Sequence, residues 1–308
     1  MTTEPAAELA ACPIGVVPII WNNVDVPDLR EPVPYQEVLD EIRRLGFDGC
    51  QFGAGFPEGT NLRAELETRG LRLAEVYAAI PCGVDGPTDG ALDEARERLD
   101  LLTGAAGEVL VMAGTIVPER SVRSGRADGP DVPKLSEKGW ARLAEVIVTV
   151  GDQARERGVT AAFHPHTGTF VETPEETATL AKRLRGTSVG ICLDTGHYLV
   201  GGGDPVKAIR NLADQVLHVH LKDVDRDVLA RLRNGDISTF HDALRERIFT
   251  ELGSGALDLP GVLQALASVD YHGWLMIEQD TSWNPPAEAM AAAKRVLAFA
   301  LRTLTSPA

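Results

Sequence analysis

The chain has 308 residues and a formal net charge of −15, with 30 lysines and arginines against 45 aspartates and glutamates. A hydrophobic fraction of 44% and a charged fraction of 24% are typical of a globular chain, and the length fits one large domain or two ordinary ones. The acidic balance disfavours a protein that binds a phosphate backbone, because such proteins present a basic surface. It suits an enzyme that acts on a small neutral molecule, and we expect no nucleic-acid partner.

The start of the chain gives no targeting signal. Residues 1–11 include Glu4 and Glu8 but no lysine or arginine, so the basic start and long apolar core of a signal peptide are missing. We expect residues 1–12 to be flexible and the protein to be cytoplasmic. The sequence contains no run of about 18 apolar residues, so it predicts no membrane span. The four cysteines are far apart without a CxxC pair, which favours free buried thiols over disulfides.

Short apolar runs then alternate with segments of helical period. We predict strands over 14–20, 49–52, 72–77, 108–112, 159–163, 189–193, 216–220 and 274–277. We predict helices over 35–45, 62–69, 89–102, 137–157, 174–184, 205–211, 260–269 and 286–304. The start at Thr173 and Pro174 shows the order of N-cap, proline and acidic residues that opens a helix.

Eight strand–helix units in this order indicate parallel strands joined by right-handed crossovers. We therefore predict an α/β protein, a single (β/α)8 TIM-barrel domain over residues 1–308. An open doubly wound sheet is the alternative, disfavoured because no GxGxxG follows the first strand. Residues 116–133 after strand 4 and 223–258 after strand 7 are longer than a barrel needs. Such connections lie at the C-terminal face of a barrel, where active sites are built.

Five of the seven histidines lie at the carboxyl ends of predicted strands 5, 6 and 7. Strand 5 ends in FHPHTGT, strand 6 in CLDTGH, strand 7 in HVHLKD and strand 8 in MIEQD. In a barrel these ends meet at one mouth, so two imidazoles and two carboxylates would surround an ion there. These candidate metal ligands are His164, Asp194, His220 and Glu278. Each also has a structural interpretation, such as a helix cap for Asp194, but their convergence favours a metal site.

Such a ligand set suits one divalent ion, with Mn²⁺ or Co²⁺ expected first and Zn²⁺ or Fe²⁺ as alternatives. Two further residues at the same strand ends complete the predicted site. Lys222, two residues past His220, would overhang the mouth and bind the substrate. His166 would either bind the substrate or support a ligand.

Several of these stretches resemble one family. FHPHTGTFVET (163–173), CLDTGHYLVGGGDP (192–205), VHLKDV (219–224) and GWLMIEQD (273–280) are similar to the xylose isomerase-like barrel superfamily of sugar isomerases, epimerases and dehydratases. FHPHTGT together with CLDTGH is most similar to its inosose dehydratase branch, which belongs to inositol catabolism. The likeness runs from about residue 14 to residue 304 and departs at Gln51, where these dehydratases tend to have glutamate.

The resemblance implies roles for particular residues. Asp194, His220 and Glu278 match the superfamily's metal ligands, and His164 stands where isomerases and epimerases usually have glutamate. The positions implied to contact substrate are His197, Lys222, Trp21 and Asn22.

The implied reaction is a metal-dependent dehydration of a keto-cyclitol such as 2-keto-myo-inositol, through an enediolate. Glu278 would remove the proton next to the ketone, with His166 as a competing base, and His166, His197 or Lys222 would protonate the departing hydroxyl. The alternatives are an isomerase or epimerase of a keto-sugar or keto-cyclitol, and a barrel subunit of a heteromeric sugar lyase. We expect a homo-oligomer, a dimer or a tetramer, with a small-molecule substrate and no membrane partner.

Overall fold

The computed structural model describes residues 4–305, and its centre is a closed barrel of eight parallel strands. The barrel strands are β1 Ile14–Val16, β2 Gly49–Gln51, β3 Arg72–Ile80, β4 Val109–Gly114, β5 Thr160–Phe163, β6 Val189–Asp194, β7 Val216–Leu221 and β8 Leu275–Ile277. Each strand pairs in parallel with its successor in this series, and β1 closes the ring on β8. The predicted TIM barrel is confirmed, and the open doubly wound sheet is wrong.

Most of the described helices cover the outside of the barrel, and a few short ones lie in the connections at its carboxyl end. The helices are Glu4–Ala10, Tyr35–Arg44, Gly59–Arg69, Ala91–Gly104, Pro118–Ser121, Glu137–Glu156, Pro174–Leu184, Thr195–Val200, Pro205–Leu212, Arg226–Asn234, Phe240–Arg245, Leu259–Ser268 and Pro286–Thr305. The predicted start at Pro174 is a capping box, in which the Thr173 hydroxyl accepts from Glu176 N–H and the Glu176 carboxylate accepts from Thr173 N–H.

One predicted boundary near the start of the chain was wrong. The first strand ends at Val16 rather than at residue 20, because residues 18–20 form a 3₁₀ turn that starts with Pro18, which has no N–H for a strand ladder. Within the segment expected to be flexible, Glu4–Ala10 form a helix in which Ala6 and Leu9 are buried, and its flexibility stays a prediction. Residues 1–3 of that predicted segment lie outside the described residues.

Side chains alternate between the inside and the outside of the barrel along each strand. On β6, Ile191 and Leu193 pack in the cluster that lies under the helices, whereas Cys192 packs in a separate cluster inside the barrel. Asp194 is two residues past Cys192, so it faces the same interior at the carboxyl end of the strand. The alternation thus decides which strand-end residues reach the mouth.

The two long connections fold over this carboxyl end. Residues 115–136 contain the helix Pro118–Ser121, and its buried Arg120 forms an ion pair of 2.8 Å with Glu176. Residues 222–258 contain two helices, a short antiparallel ladder of Asp223–Val224 with Phe249–Thr250, and most members of a second hydrophobic cluster, which Val26 and Val200 complete. Within residues 4–305, no helix has both the length and the apolarity that crossing a bilayer requires. All four cysteines are free and buried.

Candidate active site

Three predicted metal ligands meet at the mouth of the barrel. Asp194 ends β6, His220 lies opposite it on β7, and Glu278 directly follows β8. One possible ligand atom from each residue lies within 4.8 Å of the others. His220 Nδ1 is 2.7 Å from Glu278 Oε2 and 3.6 Å from Asp194 Oδ2. Adjacent strands of a closed barrel therefore bring one imidazole and two carboxylates to a single point.

His220 Nδ1 lies at ion-pair distance from both carboxylates, but the three facing atoms form no hydrogen bond of acceptable geometry. Asp194 Oδ2, His220 Nδ1 and Glu278 Oε2 are buried without a hydrogen-bond partner among the described residues. Buried polar atoms in folded proteins nearly always have a partner, so three adjacent exceptions require an explanation. A divalent cation takes an imidazole nitrogen and carboxylate oxygens as ligands. The residues present therefore fit a metal ion.

His164, the fourth predicted ligand, borders this group. It directly follows β5, and its ring centroid lies 5.2 Å from that of His220. Burial holds the pKa of His164 well below its usual value, so the ring is neutral and can offer a lone pair. Its nearest possible ligand groups combine it with Cys192 and His220, or with His166 and His197. Coordination by His164 stays a prediction.

His166 and His197 form a pair beside the ligand group. Their ring centroids are 3.8 Å apart, and His166 lines the large cavity at the mouth. His197 is buried behind it, with Nδ1 2.8 Å from Thr167 Oγ1 and Nε2 3.1 Å from Lys222 Nζ. His166 is thus the member of the pair that can meet a molecule in the cavity.

Lys222 lies beneath the mouth rather than over it. Its side chain is 1% exposed, and Nζ is 2.8 Å from Asp280 Oδ1, 3.0 Å from Glu278 Oε1 and 3.5 Å from Asp194 Oδ2. These three carboxylates raise the pKa of Lys222 despite its burial, so the side chain is a cation. The structure therefore shows Lys222 as the counter-ion of the site's carboxylates, and its contact with substrate stays a prediction.

The large cavity has a volume of about 950 Å³. The polar residues of its lining include Gln51, Tyr77, His164, His166, His220 and Glu278. Of the two predicted first-strand residues, Asn22 lines this cavity, and its amide pairs with the Val33 backbone. Trp21 lies in the wall of a separate small cavity and donates from Nε1 to Glu41. Substrate binding by either residue stays a prediction.

Sequence reasoning missed several polar residues that line the cavity, Asp280, Tyr77 and His241 among them. Asp280 lies two residues past Glu278 in the same motif, so the motif itself could have revealed it. Burial raises the pKa of Asp280 to about 7, although Lys222 opposes that shift. Tyr77 of β3 and His241 of the helix Phe240–Arg245 carry no local signal, because only the barrel closure and the folded connection bring them to the cavity.

Comparison with known proteins agrees with this geometry. The family model described as xylose isomerase-like TIM barrel matches residues 39–299, and the chain belongs to that family. It is 35% identical over 287 residues to the rhizopine catabolism protein MocC of Rhizobium meliloti, covering 90% of this chain and 84% of that protein. It is 28% identical over 290 residues to an inosose dehydratase of Geobacillus thermodenitrificans, covering 92% of this chain and 95% of the relative.

Among solved structures, the IolI protein with a bound zinc atom superposes with a TM-score of 0.70. The superposition covers 96% of this chain and 100% of that one at 15% identity, which establishes the shared fold alone. The family match and the identity to MocC and to an inosose dehydratase make the chain a sugar isomerase/epimerase-like enzyme of this superfamily.

Proposed function

We propose that the protein is a metal-dependent hydro-lyase that removes water from a keto-cyclitol such as inosose (2-keto-myo-inositol). The observation that carries the proposal is the convergence of one imidazole and two carboxylates, from His220, Asp194 and Glu278, in buried positions beside a cavity of about 950 Å³. The similarity to an inosose dehydratase over almost the whole chain supports the choice of substrate.

Three protein groups would hold the ion, and His164 stands next to them as the candidate fourth. A bound divalent ion supplies Lewis-acid polarisation of a carbonyl oxygen. A site of nitrogen and oxygen ligands accepts Mn²⁺, Co²⁺, Zn²⁺ or Fe²⁺. The protein's own contribution is then to orient the ketone and to move two protons.

Proton transfer falls to the groups that face the cavity. A β-elimination needs a base for the proton next to the ketone and an acid for the departing hydroxyl. Glu278 and His166 both line the cavity, so either can reach a bound molecule, and Asp280 lines it beside them. His197 and Lys222 lie behind these groups and would hold them in place through their hydrogen bonds and ion pairs.

The direct test is to incubate the purified, metal-loaded protein with 2-keto-myo-inositol and to follow the ultraviolet absorbance of a conjugated dione. We expect the absorbance to rise with time, to stop after chelation of the metal and to be absent with Asp194→Asn. Formation of an epimer without water loss would identify an isomerase or epimerase instead. Absence of water loss from every inosose tested contradicts the proposal.

A further inference from the structure

A carboxylate from the far wall of the barrel touches the proposed ligand His220. Glu75 belongs to β3, which stands four strands from β7 in either direction around the ring. Its side chain is fully buried, so it crosses the barrel interior beneath the mouth. A carboxylate in the apolar strand RLAEVYAAI is costly to bury unless it is paired.

One carboxylate oxygen of Glu75 contacts two histidines of β7. Its Oε2 is 3.0 Å from His220 Nε2 and accepts a shorter hydrogen bond from His218 Nε2. The opposite nitrogen of His220, Nδ1, is the atom that faces Asp194 and Glu278. The two ring nitrogens of His220 therefore have different partners, a fixed anion on one side and the ligand group on the other.

An imidazole that donates from one nitrogen offers a lone pair at the other. A metal-ligating histidine commonly donates its second N–H to a carboxylate, which fixes the tautomer and the ring orientation and makes the ligand more basic. We propose that Glu75 is the positioning residue of the metal site, holding His220 with Nε2–H toward the barrel interior and Nδ1 toward the ion. This inference rests on the proposed metal site.

The same cluster has a competing interpretation as a second ion site. Glu75, His218 and His220 each offer a ligand atom within 4.8 Å of the others. The geometry favours a hydrogen-bonded cluster, because both Nε2 atoms converge on the single oxygen Oε2 of one carboxylate, whereas two separate carboxylates face Nδ1 of His220. The number of ions bound per chain separates the two interpretations.

The test is Glu75→Gln, which keeps the size of the side chain and removes its charge. Zn²⁺ affinity is measured on chelator-treated protein by competition with a chromophoric chelator, and Co²⁺ loading gives an absorption spectrum that reports the ligands. We expect Zn²⁺ affinity about 10- to 100-fold weaker than in the wild type, and an altered Co²⁺ spectrum. Circular dichroism checks the fold, and Glu75→Asp replaces this variant if it does not fold, since the shorter side chain withdraws the carboxylate from Nε2.

Glu172→Gln is the matched control. Glu172 is equally buried and also accepts two hydrogen bonds, from Gly125 N–H and Gly168 N–H, but it lies outside the ligand group. We expect its Zn²⁺ affinity to stay within about twofold of the wild type, a small fraction of the effect at Glu75. Unchanged affinity in a folded Glu75 variant overturns the inference alone, and so do two ions per wild-type chain. A wild type that binds no ion overturns the proposed function as well.

Discussion

At the scale of single residues, the site is an arrangement of charges that compensate one another. Asp194, Glu278 and Asp280 bring three carboxylates into a buried volume, and Lys222 lies within 3.5 Å of each of them. Removing one partner of a buried ion pair leaves an uncompensated charge, which costs far more than losing a surface pair. The mouth therefore depends on the buried cation of Lys222.

We expect Lys222→Met to destabilise the fold by about 3–5 kcal/mol, because three buried carboxylates lose their counter-ion. Urea unfolding at pH 7 measures the change. The control is Lys207→Met, since the Lys207–Asp204 pair of 3.2 Å is exposed, and a surface change of this kind stays within about 0.5 kcal/mol. Equal losses in the two variants would show that the cluster does not need its cation.

Asp194 has a second role besides the proposed one. Its Oδ1 accepts from His197 N–H and caps the helix Thr195–Val200, while Oδ2 faces the ligand group. Asp194→Asn keeps the cap and removes the charge, so we expect bound metal, measured by elemental analysis, to fall below about a tenth of the wild-type content, in line with the loss of one ligand. Asp204→Asn changes the same kind of cap at Pro205–Leu212 and should leave the metal content unchanged. Full metal content in the first variant contradicts the assigned ligand.

At the scale of elements, a buried ion pair and buried hydrogen bonds attach the connection over residues 115–136 to the barrel. Arg120 pairs with Glu176 at the start of the helix Pro174–Leu184, and Glu172 accepts from Gly125 N–H and Gly168 N–H. This connection contributes Ile116, Pro118, Ser121 and Val122 to the cavity wall. The shape of the cavity is therefore coupled to these buried groups.

Burial raises the pKa of Glu172 to about 7 from a value of 4.5 in the free side chain. Between these two values the folded state holds a proton that the unfolded state has released, so the contribution of Glu172 to stability is complete below pH 4.5 and is lost as the pH rises through 7. We expect the stability of the wild type relative to Glu172→Gln to fall by up to ~3 kcal/mol between pH 5 and pH 8, at about 1.4 kcal/mol per pKa unit. Urea unfolding across that range measures it, and a constant difference would contradict the assignment.

At the scale of the whole molecule, the proposed ion connects strands from one side of the barrel. Asp194, His220 and Glu278 come from β6, β7 and the end of β8, so an ion bound there would join three consecutive strands. A ligand that binds only the folded state stabilises that state in proportion to the logarithm of its free concentration. Metal removal should therefore lower the free energy of unfolding of the whole barrel.

We expect a chelator to lower the melting temperature of metal-loaded protein, with a stabilisation of about 2.7 kcal/mol at an ion concentration 100 times the dissociation constant. Differential scanning calorimetry over a series of ion concentrations measures the shift. Asp194→Asn serves as the reference that should not respond. A wild-type melting temperature that is independent of the ion would contradict a site that bridges the strands.

The expected homo-oligomer is a separate prediction, and light scattering of the same samples decides between a dimer and a tetramer.

The sequence by itself determined the barrel and most of the candidate ligand group. Strand and helix periods recur eight times along the chain. The residues that end parallel strands lie at one face of a barrel whatever the details of packing, so the position of the mouth could be predicted from FHPHTGT, CLDTGH, HVHLKD and MIEQD. Local signals also placed the helix that starts at Pro174, because a capping box is formed by neighbours in the chain.

Only the tertiary structure decided what each side chain faces. Glu75 reaches His220 because β3 and β7 stand opposite each other in a closed ring of eight strands, a relation between residues 145 positions apart. Lys222 lies behind the carboxylates, and Trp21 lies apart from the large cavity. Local sequence patterns report periodicity and neighbours in the chain, whereas the register and closure of the barrel set which side chains meet across its interior.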